Sequence, residues 1–162
     1  MMKGQRHATI SFFVFLSLCF LIALLGTLII EIGDKSWFDR LQKPTFQPPN
    51  WIFEPVWTVL YICIAVSGWL VYIREKSPIR IFVLQVYIVQ LILNLLWTCL
   101  FFGLHSPLLA LIDIVILLCV IFYYILITRN LSRWSSILFV PYGIWVLFAT
   151  LLNLTMWMLN PV

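Results

Sequence analysis

Five long runs of apolar residues alternate with short polar breaks along this chain. The runs cover about Ala8–Ile30, Ile52–Ile73, Ile79–Phe102, Pro107–Thr128 and Trp134–Leu159. Each matches or exceeds the ~20 apolar residues that a helix needs to cross a bilayer. Inside hydrocarbon every backbone N–H and C=O must be satisfied within its own segment, so the runs predict helices and not strands. The breaks after the second run are short: Arg74–Pro78, Gly103–Ser106 and Arg129–Arg133. Short connections predict antiparallel neighbours in an up-and-down bundle. Pro107 suits the first turn of its helix, where a missing N–H costs nothing. Pro141 lies inside the fifth run and predicts a kink or an irregular turn.

One break differs from the others. From Trp37 to Tyr61 the chain reads WFDRLQKPTFQPPNWIFEPVWTVLY, with four prolines (Pro44, Pro48, Pro49, Pro55) and three tryptophans (Trp37, Trp51, Trp57). Its first part, Trp37–Asn50, is too polar and too proline-rich for a membrane interior. The prolines restrict its backbone, which suits a lid of few conformations. The part from Trp51 onward begins a pocket wall.

Composition agrees with the pattern. Of 162 residues 64% are hydrophobic and only 10% charged, against about a quarter charged in a soluble domain. The expected class is therefore an all-α integral membrane protein of one domain, residues 1–162. The net charge of +4 is no nucleic-acid footprint, because no basic face can form on helices this apolar. The positive charges fall in the breaks. With the N-terminus inside, inner segments carry Lys3, Arg6, Arg74, Lys76, Arg80, Arg129 and Arg133, and outer ones only Lys35, Arg40 and Lys43. The bias predicts a cytoplasmic N-terminus and an outer first loop. The uncharged run after MMKGQRH exceeds the ~7–15 residues of a signal-peptide core, so it is read as a retained first helix. Cys19, Cys63, Cys99 and Cys119 form no CxxC pair and are read as small buried hydrophobes.

Helix direction then gathers the unusual residues below the outer loop. Gln90, Asn94, Trp97 and Phe101 form one stripe of the third helix, Trp145, Ala149 and Asn153 one of the fifth, and Trp57, Tyr61, Ala65 and Gly68 one of the second. Asp113 lies about 9 Å below the start of the fourth helix at 1.5 Å per residue. It is the one acid in the middle of a span, a costly placement that marks function by default. Bulky aromatics beside Ala and Gly leave room for a flat guest in a mostly apolar cavity. The alternative for Gln90, Asn94, Asp113 and Asn153 is bonding between helices. Trp51, Trp69, Trp134 and Trp157 read as interfacial anchors, and His105 as a water-facing loop residue or a haem ligand. No nucleophile–base pair, metal cluster, glycine-rich phosphate loop or carboxylate pair is present, so no catalytic residues are assigned.

The long Trp37–Tyr61 motif, together with QLILNLLWTCLFFG, LALID and VPYGIWVLFATLLN, resembles the translocator protein or tryptophan-rich sensory protein (TspO/MBR) family, and its bacterial-type members above all. The resemblance covers roughly Trp37 to Asn160. It implies a five-helix bundle whose first loop caps a ligand cavity. It also implies porphyrin, haem and benzodiazepine-type ligands, held by Trp37, Phe38, Trp57, Tyr61, Asn94, Trp97, Trp145, Ala149 and Asn153; Gln90 and Asp113 join them from the stripes and depth above. No cofactor is required; porphyrin or haem is a ligand. The family further implies a homodimer in a bacterial cell membrane, although the third helix shows no small-xxx-small seam. The cholesterol motif of animal members is missing its aromatic and basic residues, with Leu154 at the tyrosine position, which argues against sterol binding. Three roles follow: a sensor or regulator of tetrapyrrole or stress response, a transporter, or a slow light-dependent enzyme of protoporphyrin breakdown using Trp57 and Trp145. The absence of an inverted repeat argues against transport.

Overall fold

The computed structural model describes residues 2–74 and 77–161, with the side chains of residues 2–5 and Lys35 left aside. Lys3, Lys35 and Lys76, three of the charges used above, thus contribute no described side chain. The described chain is all helical: α1 (Met2–Ile32), α2 (Lys35–Arg40), α3 (Phe53–Tyr72), α4 (Pro78–Thr98), α5 (Pro107–Thr128) and α6 (Arg133–Leu159). Five of these are long and apolar enough to cross a membrane.

Local chemistry explains the ends. Ser77 and Ser106 accept hydrogen bonds from Arg80 N (3.3 Å) and Leu109 N (3.4 Å), and Pro78 and Pro107 occupy the first turns of α4 and α5. A serine cap followed by proline is a strong helix start, because the cap satisfies an orphan N–H and proline has none to satisfy. The end of α4 departs from the expected span to Phe102. Cys99–Gly103 forms a wide π-type turn, closed by Leu104 N to Cys99 O at 2.9 Å. α6 runs as one helix through Pro141, without the irregular turn that was one of the two expectations there. Only one carbonyl loses its donor there, and the flanking turns hold the backbone.

The five spans close a ring in the order α1, α3, α6, α5, α4, with lighter contacts from α4 back to α1 and α3. Short connections do make α4–α5 and α5–α6 neighbours, as expected. However, α3 packs on α1 and α6 far more than on α4, to which a short connection joins it. Gly68 lets α3 take up the Tyr87 and Phe15 rings; a Cβ there would stand 2.6 Å from Tyr87. This corrects the third stripe, since Gly68 and Ala65 leave no space for a guest but admit neighbouring helices. On the N-terminal side of the bundle Ser67 and Ser135 join α3 to α6 through Oγ–Oγ contact (2.7 Å) and reciprocal bonds to each other's carbonyl oxygens (2.9 and 3.0 Å), and Tyr124 Oη lies 3.2 Å from both hydroxyls.

Two other expectations change. Trp69 donates its indole N–H to Ala8 O (2.9 Å) and packs on Phe12, so it ties α1 to α3 and is no simple interfacial anchor. Cys19 is fully buried with its sulfur 3.2 Å from Tyr87 Oη, but Cys119 is exposed on the outer face of α5.

The first connection is partly helical. Asp34 caps α2 by accepting from Ser36 N (2.9 Å) and the Ser36 hydroxyl, and Arg40 closes back on Asp34 at 3.1 Å. Lys43 sits over the Phe38 ring (4.3 Å), and Pro44 is buried. Asn160, just past α6, clasps the segment after α2 by accepting from Gln42 N (2.9 Å) and donating to Gln42 O (3.0 Å).

Candidate functional site

The predicted site residues fall into two groups at the end of the bundle that carries the 33–52 segment. In the first, α2 sets Trp37 and Phe38 against the end of α4. Trp37 packs on Phe101 (5.6 Å between ring centres) and His105 (4.7 Å), and Phe38 on Phe102 (5.5 Å). Trp97 stacks on Phe101 at 5.2 Å. The π-type turn is what makes this possible, since it buries Phe101 beneath α2 and aims Phe102 beside it. His105 was expected to face water. It is instead half-buried under Trp37, with φ of 52° and Nε2 shielded without a hydrogen-bond partner. A positive φ is uncommon outside glycine and is held here by the tight α4–α5 turn.

The second group lies between α3 and α6. Trp57 stacks obliquely on Tyr61 (5.4 Å) and meets Tyr142 edge-on (6.3 Å). Trp145 lies between Phe53 (5.6 Å) and Phe148 (5.7 Å), and Phe46 of the first connection reaches Phe148 (6.4 Å). Ala149 is half-buried one turn above Trp145. Trp97 packs with both groups and joins them.

Two hydrogen-bonded chains cross this region. Tyr61 Oη donates to Asn94 Oδ1 (2.7 Å), and Asn94 Nδ2 donates to Tyr142 Oη (3.1 Å), linking α3, α4 and α6. Above them Trp97 Nε1 donates to Asn153 Oδ1 (3.0 Å), and Asn153 Nδ2 donates to Pro107 O (2.8 Å), linking α4, α6 and α5. Asn94 and Asn153 therefore do bond between helices, the alternative left open by the sequence.

Other polar groups nearby have no such partner. Gln90 is fully buried with both side-chain amide atoms unpaired, and Asp113 is 4% exposed with Oδ2 unpaired. Trp145 Nε1 is shielded and donates to nothing among the described residues. Buried polar groups are nearly always paired, and each exception calls for an explanation. Among the described residues no cluster of three His, Cys, Asp or Glu side chains could hold a metal.

The sequence reading missed Tyr142, which centres the first chain. It falls three residues before Trp145 and so extends the Trp145–Ala149–Asn153 stripe by one turn, a signal present in the periodicity. Phe53, Phe148, Gln42 and Asn160 were missed as well. Asn160 carries no periodic signal, because it lies beyond the helix.

Comparison with known proteins agrees with this architecture. The profile of the TspO/MBR family matches residues 15–158. The chain is 36% identical over 153 residues to the tryptophan-rich protein TspO of Chlorobaculum tepidum, covering 90% of this chain and 93% of that protein. It is 36% identical to the protein CrtK of Rhodobacter capsulatus, covering 78% and 79%, and 32% identical to the human translocator protein, covering 82% and 79%. Relatives carrying the names sensory protein and translocator protein support a membrane sensor or transporter. A five-helix membrane bundle, the aromatic first connection and a match along nearly its whole length place this chain in the TspO/MBR family.

Proposed function

We propose that this protein is a membrane receptor that binds flat, largely apolar ligands beneath its first connection, with porphyrins such as protoporphyrin and haem, and benzodiazepine-type molecules, as the classes it accepts. Its role is regulatory, in tetrapyrrole or stress response. The observation that carries this reading is the set of unpaired buried polar atoms, Asp113 Oδ2, the Gln90 amide and Trp145 Nε1, in a bundle that also gathers the rings of Trp57, Tyr61, Trp97 and Trp145. Such a combination of aromatic walls and a few polar points is the usual make-up of a small-molecule site. The segment 37–50 acts as its cap, held by the Gln42–Asn160 clasp and by Trp37 on His105. The excess of Arg at the N-terminal end supports a cytoplasmic N-terminus in a bacterial cell membrane, and a homodimer is the proposed assembly.

Titration with protoporphyrin, followed by quenching of tryptophan fluorescence, tests the site. Saturable quenching is expected, weakened about tenfold or more in a Trp57→Phe, Trp145→Phe double variant. Equal affinity in the double variant would remove these rings from the site.

A second reading, transport of the same ligands, draws on Asp113, an unpaired acid inside a span. Ligand flux into proteoliposomes that stops in Asp113→Asn is its expected signature, and absence of flux in the wild type rejects it.

A further inference from the structure

The opposite end of the bundle holds a second recess that the proposed ligand site does not use. It has a volume of about 430 Å³ and is lined by Ile79 at the start of α4, Leu126 and Ile127 near the end of α5, and Asn130 and Leu131 in the α5–α6 turn. The volume lies within the ~300–1,000 Å³ usual for small-molecule sites. Four of its five lining residues are aliphatic, and Asn130 supplies a single amide. The turn beneath it is rigid: Leu131 N and Ser132 N both donate to Thr128 O (3.0 and 2.7 Å), and the buried Thr128 hydroxyl donates to Tyr124 O (2.7 Å).

Charge distinguishes this recess from an ordinary lipid-facing groove. The described acids Glu31, Asp34, Asp39, Glu54 and Asp113 all lie toward the other end, and Glu75 is outside the described residues. Arg129 and Arg133 flank Asn130 and Leu131 in the chain, are exposed, and form no ion pair among the described residues. Arg80, by contrast, is engaged: its Nη1 donates to Tyr72 O (3.1 Å) and Arg74 O (3.0 Å), which closes the end of α3. Ser132 makes no side-chain cap on α6, so the positive end of that helix is not neutralised by a side-chain acceptor. An apolar trough whose lining turn is flanked in the chain by two exposed arginines without an ion pair fits a molecule with a hydrocarbon tail and an anionic head.

We propose that this recess is a binding site for one anionic glycerophospholipid, its acyl chain along Ile79, Leu126 and Ile127 and its phosphate toward Arg129, Arg133 and Asn130. Arginine matches phosphate oxygens through paired N–H donors. A basic cluster at a membrane surface adds the long-range attraction.

Native mass spectrometry of the full chain in detergent, titrated with phosphatidylglycerol or phosphatidylcholine, tests this. One phosphatidylglycerol is expected to bind in preference to phosphatidylcholine. Arg129→Gln with Arg133→Gln weakens it by about tenfold or more, and Leu126→Trp, which fills the trough from an exposed position, also weakens it. Arg40→Gln, at the far end, leaves it unchanged. A thermal unfolding midpoint in detergent that is unchanged in the Arg129, Arg133 and Leu126 variants shows that each remains folded. Equal binding of the two lipids overturns the proposal. So does loss in the arginine variant with none in Leu126→Trp, which reduces the effect to surface charge. Displacement by millimolar inorganic phosphate would mark a free-anion site and overturns it too.

Discussion

The two halves of this bundle treat buried polar groups in opposite ways. Toward the N-terminal end, Ser67, Ser135, Tyr124, Thr128 and Ser136 all find partners on neighbouring helices or on the preceding turn. Glycine and serine let α3 approach α4 and α6 closely there, and Gly68 admits a tyrosine ring. The Ser132 hydroxyl and Arg80 Nε are exceptions among the described residues. Toward the connection-bearing end, two hydrogen-bonded chains are complete, yet Gln90, Asp113 and Trp145 keep polar atoms unpaired. In a hydrocarbon setting an unpaired polar group is costly. A protein retains it where something else completes it. Under the proposed function, one half holds the helices together and the other accepts a guest.

Substitutions that separate stability from binding test this contrast. The largest effect is expected for Gly68→Ala, whose Cβ would stand 2.6 Å from the Tyr87 ring and 2.8 Å from the Phe15 ring of α1. Overpacking of this kind costs about 1–3 kcal/mol. Thermal unfolding in detergent should show the loss, and protoporphyrin affinity measured well below the transition should not change. An affinity loss as large as the stability loss would mean that the two halves are not independent.

Asp113→Asn reverses the expectation. It removes a charge that no described side chain pairs, so thermal stability should hold or rise, whereas guest affinity should fall by about tenfold, the scale of one charge-assisted hydrogen bond. A lowered transition temperature with intact binding would assign Asp113 to the scaffold. Smaller still is Ser67→Ala with Ser135→Ala. Interhelical hydrogen bonds in membranes average about 0.6 kcal/mol, so unfolding should shift by roughly 1 kcal/mol with no change in binding.

The smallest effect is local to α2. The Ser36 hydroxyl, its backbone N–H and Arg40 hold the Asp34 carboxyl below its ordinary value of 3.8. A depressed carboxyl stabilises the folded form above its unfolded value and stops doing so as pH falls through the lower folded one. The α2 cap should thus persist at neutral pH and weaken only below about pH 4. Trypsin digestion at neutral pH should cut at Arg40 faster in Asp34→Ala than in the wild type; equal rates would show that Trp37 on His105 holds α2 without the cap.

Much of this architecture was legible from the residues, because bilayer physics leaves few choices. A run of about 20 apolar residues has to be a helix, and serine–proline pairs have to start one. The stripes at Asn94 and Trp97, and at Trp145 and Asn153, were legible for the same reason: helical spacing fixes which residues share a face. Pairing was not legible. Nothing in the spacing told that Asn94 would be taken by Tyr61 and Tyr142 while Gln90, one turn away, would have no partner. Gly68 misled for a related reason, since a missing side chain marks equally a space for a guest and a close approach of helices.

The amino-acid sequence by itself determined five spanning helices, the serine–proline starts of α4 and α5 and the polar, proline-stiffened first connection, since these depend on local backbone chemistry and on the thickness of hydrocarbon. Only the tertiary structure decided the ring order α1, α3, α6, α5, α4, the placing of His105 beneath Trp37, and the division between paired and unpaired buried groups. Those depend on side chains from distant segments meeting, and a ring of helices that are apolar on nearly every face carries little record of its neighbours in any one of them.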